Sequence, residues 1–359
     1  MNKKVNAVNT ILIVLIVVAL GFIYYLVMNK ADFVSGDNNN VVVENVKTRK
    51  SVKRDTISTT NGTNSGIKID FSEDNVNRYA EGRYFYNQLN SSAKSMYTSI
   101  ENNINSLKSG SDPIKLNINT ETAGESFQSA WDAFEMDHPE IFYIETKNLN
   151  LLTKSTTNFL GTTKYEYTIQ PKENEKYFTE SFDDRQEVEQ AIQRVDAIVE
   201  NVVNNADLEN TRYDKIKYVH DYIVDNAHYD QEGVLDNSTM YGLLVNNTAV
   251  CEGYAKAFKY FMDKLNIPCV VVYGEGIASD GSSEYHAWNE VQMENGVWYA
   301  VDTSWDDPII IGNGKLTDEY KYKYFLVGSD NFSSSHIPES DVSGTGQNFV
   351  YPELSIKNY

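Results

Sequence analysis

The chain has 359 residues, with 31 Lys and Arg against 51 Asp and Glu and a formal net charge of −20 at neutral pH. That balance excludes nucleic acid as the main partner, because a polyanion would be repelled. A chain of this length buries a sufficient core without staples. Its two cysteines and five histidines form no clustered set of soft ligands, which excludes zinc-finger and iron–sulfur folds.

Residues 11–28 are an unbroken apolar run, which at helical rise nearly matches the hydrocarbon core of a bilayer. A cleavable leader has a shorter apolar stretch and ends on small residues, whereas Tyr24, Tyr25, Leu26, Val27 and Met28 lead here into Asn29 and Lys30. The run therefore reads as an uncleaved membrane anchor following a cytoplasmic N-terminus of residues 1–10. Lys3 and Lys4 precede it and Lys30 alone follows closely, so the positive-inside rule places everything after Lys30 outside the cell. Residues 29–70 are rich in Asn, Ser, Thr and Val without sustained periodicity and read as a flexible tether. The basic residues Lys47, Arg49, Lys50, Lys53 and Arg54 read as a solvated run.

Periodicity begins after Val76. Ala93, Met96, Tyr97, Ile100, Ile104 and Leu107 fall on one helical stripe behind a capping Ser91 or Ser92. Phe127, Ala130, Trp131 and Phe134 form a second stripe, ended by Asp137, His138 and Pro139, and residues 141–145 then read as a strand. Tyr165, Tyr167 and Ile169 alternate as another. Two further helices bury Val188, Ile192, Val195, Val199 and Val202, and Ile216, Val219, His220 and Ile223. Residues 71–180 thus form a smaller mixed α/β region ahead of a second one, residues 181–359.

Cys251 opens a helix whose inward face is Tyr254, Phe258, Phe261, Met262 and Leu265. A cysteine in a first helical turn meets unpaired amides and the positive end of the helix dipole, which favour thiolate. Cys269 instead follows Pro268 and opens the apolar strand Val270, Val271, Val272, so it reads as core. A Cys251–Cys269 disulfide would abolish any chemistry at Cys251, and the helix between the two argues against it. Tyr285 to Val291 then form a strand, followed by a turn at Glu294-Asn295-Gly296 and a second strand over residues 297–305. A three-residue loop opposes Met293 to Val297 and Trp288 to Asp302, which puts His286 and Asp302 on one face as diagonal neighbours. A two-residue loop would turn Asp302 away.

A thiolate at a helix start, a histidine on a neighbouring strand and a carboxylate beside it are the working set for acyl transfer. Ala249-Val250-Cys251-Glu252-Gly253-Tyr254-Ala255, His286-Ala287-Trp288-Asn289 and Val301-Asp302-Thr303-Ser304-Trp305-Asp306-Asp307-Pro308 resemble the three blocks of the transglutaminase-like superfamily, in order and spacing. Tyr218 to Ile223 with Tyr229-Asp230 resemble the helix before the cysteine block, and Tyr324 to Val327 the strand after it. Asp137-His138-Pro139-Glu140-Ile141-Phe142 looks like a leader region of bacterial members. The resemblance implies an α+β fold with a papain-like core: the helix carrying the cysteine packed on an antiparallel sheet carrying His and Asp. It further implies Cys251 as nucleophile, His286 as general base and acid, and Asp302 orienting the imidazole. The oxyanion would be held in part by the Cys251 amide. Calcium-dependent crosslinking relatives place a tryptophan upstream for the same purpose; none lies between Trp131 and Cys251, where Tyr241 is a candidate substitute.

The remaining candidates read as structural. His220 lies on an inward stripe, and His138, His228 and His336 lack a recognisable pattern of acidic or thiol neighbours. Asp306 and Asp307 before Pro308 read as a turn rather than a cation site, and neither metal nor cofactor is expected. Trp288 and Trp305 fit cleft and core equally well. The expected function is a membrane-anchored, extracytoplasmic enzyme that acylates Cys251 from a glutamine carboxamide of a protein or peptide at the cell surface, wall-associated peptides included. A cysteine peptidase or amidase on the same fold, and a noncatalytic surface scaffold, are the alternatives.

Overall fold

The computed structural model describes residues 38–48, 83–104, 112–309, 315–344 and 348–359. The expected span of residues 11–28 lies outside them; among the described residues no helix is long and apolar enough to cross a membrane. Two compact units are present. Of the described residues, one comprises 38–41 together with 154–164, and the other the rest.

In chain order, β1 (Asn38–Asn45) precedes α1 (Ser91–Ile104), β2 (Ile114–Leu116), α2 (Phe127–Asp137), β3 (Leu149–Thr157) and β4 (Thr163–Pro171). The strands form one sheet in the order β1-β3-β4-β2. β1 falls inside the segment expected to be a tether. It carries alternating pairing groups that need no apolar face, since Val41, Val42 and Val43 remain exposed, and that is why hydropathy did not reveal it. The stripe of α1 is buried as expected from Ala93 to Ile104, but its cap is Asn90, whose Oδ1 accepts from the Ala93 amide at 2.9 Å. Residues 141–145 are not a strand. Phe142 and Tyr143 are both buried, so the segment does not alternate, and only one bridge, Ile144 with Phe178, is made.

The second half begins with α3 (Arg185–Ala206), α4 (Arg212–Asn226), β5 (His228–Tyr229), α5 (Met240–Asn246), β6 (Thr248–Ala249) and α6 (Cys251–Lys264). β7 (Cys269–Ile277), β8 (Ser283–Gln292) and β9 (Trp298–Val301) follow, and β10 (His336–Pro338) closes an antiparallel sheet in the order β10-β7-β8-β9. α6 packs on β7 and β8, flanked by α4 and α5. Asn289 ties helix to sheet by donating to the carbonyls of Ala255 at 2.9 Å and Val270 at 3.2 Å. The inward residues Tyr254, Phe258, Phe261 and Met262 are fully excluded from solvent, as the helical period requires.

The β8–β9 register is that of the three-residue loop. Asn289 opposes Val301, Gln292 opposes Trp298, and the Met293 amide bonds the Val297 carbonyl at 3.0 Å. Gly296 takes the left-handed conformation that this loop needs, with φ of +78°. The second strand is shorter than expected: pairing ends at Val301, and residues 302–306 turn, closed by the Asp306 amide on the Asp302 carbonyl at 3.1 Å.

Candidate active site

Helices α3, α4 and α5 each start behind a capping side chain: Asp184, Thr211 and Thr239. α6 does not. Its N-cap is Val250, in extended backbone and with no side chain to offer the first-turn amides, so these donors stay available to other acceptors. Gly253 lets that uncapped end approach its neighbours. A Cβ there would lie 2.7 Å from the Asn237 carbonyl oxygen and 2.7 Å from the Ala249 Cβ. Tyr229 lies on β5, which runs parallel to β6 with Tyr229 opposite Ala249, and its hydroxyl stands beside the Cys251 backbone N–H and sulfur. Burial, then the Cys251 sulfur beside it, raise the Tyr229 pKa well above the usual phenol value, so the hydroxyl keeps its proton.

His286 and Asp302 meet as the register requires. Nε2 of His286 lies 2.7 Å from Oδ2 of Asp302, with both side chains about 1% exposed. Oδ1 of Asp302 accepts from the Ser304 amide at 3.0 Å, the Ser304 hydroxyl at 2.7 Å and the Trp305 amide at 3.1 Å, which fixes the carboxylate. With Nε2 engaged, Nδ1 of His286 has no hydrogen-bond partner, and the Cys251 sulfur is among the groups acting on the His286 ring. Burial disfavours the imidazolium, yet the Asp302 charge and the Cys251 sulfur outweigh it and hold His286 well above the ordinary histidine range. Burial likewise acts to raise Asp302, but His286 and then His336 drive its carboxyl far below the usual value.

Gly276 makes room for this arrangement. A Cβ on it would stand 3.0 Å from the His286 Cβ and 3.0 Å from a Trp305 ring carbon. Trp305 covers the His286 ring at 4.9 Å between centroids and is partly exposed, whereas Trp288 is core, packed edge-on against Phe332.

The structure places the remaining sequence candidates as follows. Cys251 and Cys269 are both free and buried. Tyr241 stacks on Phe142 at 5.2 Å and packs against Phe182, within the core; the tyrosine beside Cys251 is Tyr229, whose signal was its place three residues beyond the α4 helix in the upstream motif. His336 has acidic company after all. Its Nε2 lies 3.1 Å from the same Oδ2 of Asp302, a contact invisible in sequence because the two are 34 residues apart. His138 pairs with Glu140 at 2.7 Å. Asp302, Asp306 and Asp307 do not converge: Asp306 faces His220 and Asp307 accepts from the Tyr254 hydroxyl at 2.6 Å.

His286, Asp302 and His336 offer three donor atoms within 4.8 Å of one another. Both Nε2 atoms already converge on one oxygen at hydrogen-bond distance, which suits shared protons better than an open coordination sphere. A cavity of about 350 Å³ lies beyond Glu252 and Lys256 of α6, walled by Trp131, Phe134, His138 and Phe142.

Residues 187–303 match the family model of the transglutaminase-like superfamily. Among solved structures the chain is similar to a TGase at 16% identity and a TM-score of 0.30, over 60% of this chain and 56% of that one. It is also similar to a putative cysteine protease from Cytophaga hutchinsonii, at 16% identity and 0.27, over 45% and 59%. The periplasmic domain of TgpA from Pseudomonas aeruginosa matches at 10% identity and 0.25, over 46% and 73%. The chain spans less than two thirds of the length of the first two. No curated protein matches it.

Proposed function

We propose that the chain is an acyl-transfer enzyme in which Cys251 attacks a glutamine carboxamide of a protein or peptide and forms a thioester. The observation that carries this reading is the His286 imidazole, buried, locked to Asp302 at 2.7 Å through Nε2 and leaving Nδ1 for Cys251. His286 accepts the thiol proton and returns it to the departing ammonia; Asp302 keeps the imidazolium oriented. The developing oxyanion accepts from the Cys251 amide, and the Tyr229 hydroxyl beside that amide donates a hydrogen bond to it. An amine then resolves the thioester to an isopeptide or secondary amide, or water resolves it to a carboxylate. The apolar run of residues 11–28 anchors the enzyme and puts the catalytic residues outside the membrane, where surface proteins and wall peptides are the substrates.

The test incubates the full-length protein and its Cys251→Ala variant with a glutamine- and lysine-rich protein and a small primary amine, with products read by mass spectrometry. Amine incorporation or lysine crosslinks lost in the variant support the transferase. Deamidation or cleavage lost in the variant replaces transfer by hydrolysis, and product formation that survives Cys251→Ala removes the assignment.

A further inference from the structure

His336 opens β10, where it pairs with Gly276 of β7. Its side chain is fully excluded from solvent. Phe332 stacks on the ring at 3.8 Å and 12°, Trp305 lies at 4.5 Å and Trp288 meets it edge-on at 5.0 Å. Within this aromatic box both ring nitrogens are committed, Nδ1 to the Ser335 hydroxyl at 2.8 Å and Nε2 to Oδ2 of Asp302 at 3.1 Å. Packing alone would be served by a phenyl ring. A buried imidazole aimed at the oxygen that also holds His286, with its far nitrogen anchored, is a more specific arrangement than a core needs.

We infer that His336 is a positioning residue for His286: donating from Nε2 to the Oδ2 that His286 uses, it restrains Asp302 and limits how strongly that carboxylate holds the His286 proton. The inference rests on the proposed role of His286, but its test does not require turnover. An ionised carboxylate accepts only, so Nε2 of His336 carries the proton, while the Ser335 hydroxyl, 2.8 Å from Nδ1 and 3.1 Å from the Phe332 carbonyl, anchors the far side of the ring. Burial and the neighbouring His286 charge keep His336 below the usual histidine value, against the pull of Asp302, which agrees with a neutral donor. A carboxylate with one more donor is a weaker base toward its other partner. His336 thus eases the return of the proton from His286 to a leaving group, which a bare Asp302 would oppose. The other titratable groups facing this set are Cys251, Tyr229, Asp306 and Tyr324.

The experiment is an NMR titration of the His286 imidazole in the full-length wild type, His336→Phe, His336→Gln and Ser335→Ala, with melting followed in each. Phenylalanine keeps the aromatic box and removes the donor; glutamine returns an N–H near Nε2. His336→Phe is expected to raise the His286 pKa by about half a unit or more, His336→Gln to bring it back within about 0.2 units, and Ser335→Ala to shift it less in the same direction. The pH at which iodoacetate loses its advantage over iodoacetamide in alkylating Cys251 should move in parallel. An unmoved His286 titration in a folded His336→Phe, or equal shifts in the phenylalanine and glutamine variants, would overturn the inference and leave His336 a packing residue. Should His336→Phe fail to fold, an unchanged His286 titration in a folded Ser335→Ala overturns it equally.

Discussion

His220 on α4 and Asp306 beyond β9 lie 86 residues apart in the chain and meet at 3.0 Å with both side chains fully buried. Burial pushes the Asp306 carboxyl up to about 7 while His220 pulls it down. The other Asp306 oxygen accepts from the Tyr324 amide at 2.8 Å, and the Tyr324 carbonyl accepts from the Asp302 amide at 3.1 Å. The pair therefore pins the turn that aims Asp302. Asp306→Ala is expected to cost about 3–5 kcal/mol, because it strands a buried imidazole. The double variant His220→Leu with Asp306→Leu should lose less than the two single variants together in urea unfolding; strict additivity would show that the contact carries no coupling.

Glu290, on β8, is fully buried, its Oε2 has no hydrogen-bond partner, and burial holds its carboxyl well above the usual range. An acid raised by folding keeps full stability below its unfolded pKa, near 4.3, and forfeits it as pH rises toward the folded value. Glu290→Gln is therefore expected to stabilise the protein, by about 1–3 kcal/mol at pH 8 and by little at pH 4. A gain that does not grow with pH would count against the assignment.

His138 shows the opposite chemistry with the same direction. Burial opposes its charge, but Glu101 and Glu140 hold the proton and raise the pKa to about 9. Such a group contributes fully below about 6.5, and the contribution disappears as pH rises through about 9, a loss of roughly 3 kcal/mol. Unfolding of the wild type at pH 6 and pH 9.5 should show this drop, and His138→Gln should flatten it. An unchanged pH slope in the variant would place the titration elsewhere.

Tyr229→Phe removes the hydroxyl from the Cys251 amide and leaves the ring packing. Acylation of Cys251 by an activated ester is expected to slow about 100-fold, the usual cost of one oxyanion donor, with melting unchanged. Undiminished acylation would exclude the hydroxyl from the oxyanion.

Much of the catalytic half was readable from residue order. The stripe Tyr254, Phe258, Phe261, Met262 defined α6, and parity reduced the hairpin to two registers, of which the three-residue loop found in the structure brings His286 to Asp302, because a one-residue slip reverses every side chain. What escaped were contacts made across long stretches of chain between residues of ordinary local pattern. His336 carries no flanking acid in sequence, and its partner Asp302 becomes visible only once β10 adds to β7. Tyr241 was the tyrosine the sequence singled out ahead of Cys251, and Tyr229 was read only as part of the upstream motif. Only the parallel pairing of β5 with β6 puts one at the nucleophile while aromatic stacking on Phe142 and Phe182 retires the other. β1 escaped because a strand whose valines face water carries no hydrophobic signature.

Lys259 has a further consequence. Two turns along α6 from Cys251, its ammonium is wholly shut away from water, bonded to Asp263 at 2.7 Å and 3.0 Å and within the field of Asp137, which itself receives the amides of Phe85 and Tyr86 at 3.0 Å and 2.9 Å. A trimmed version of the protein that starts at the matched superfamily core would lack Asp137 and so lose one of the negative charges that offset this buried cation. The N-terminal half thus supplies part of the charge balance of the helix that carries Cys251, and insertions and deletions should be resisted between Phe85 and Asp137.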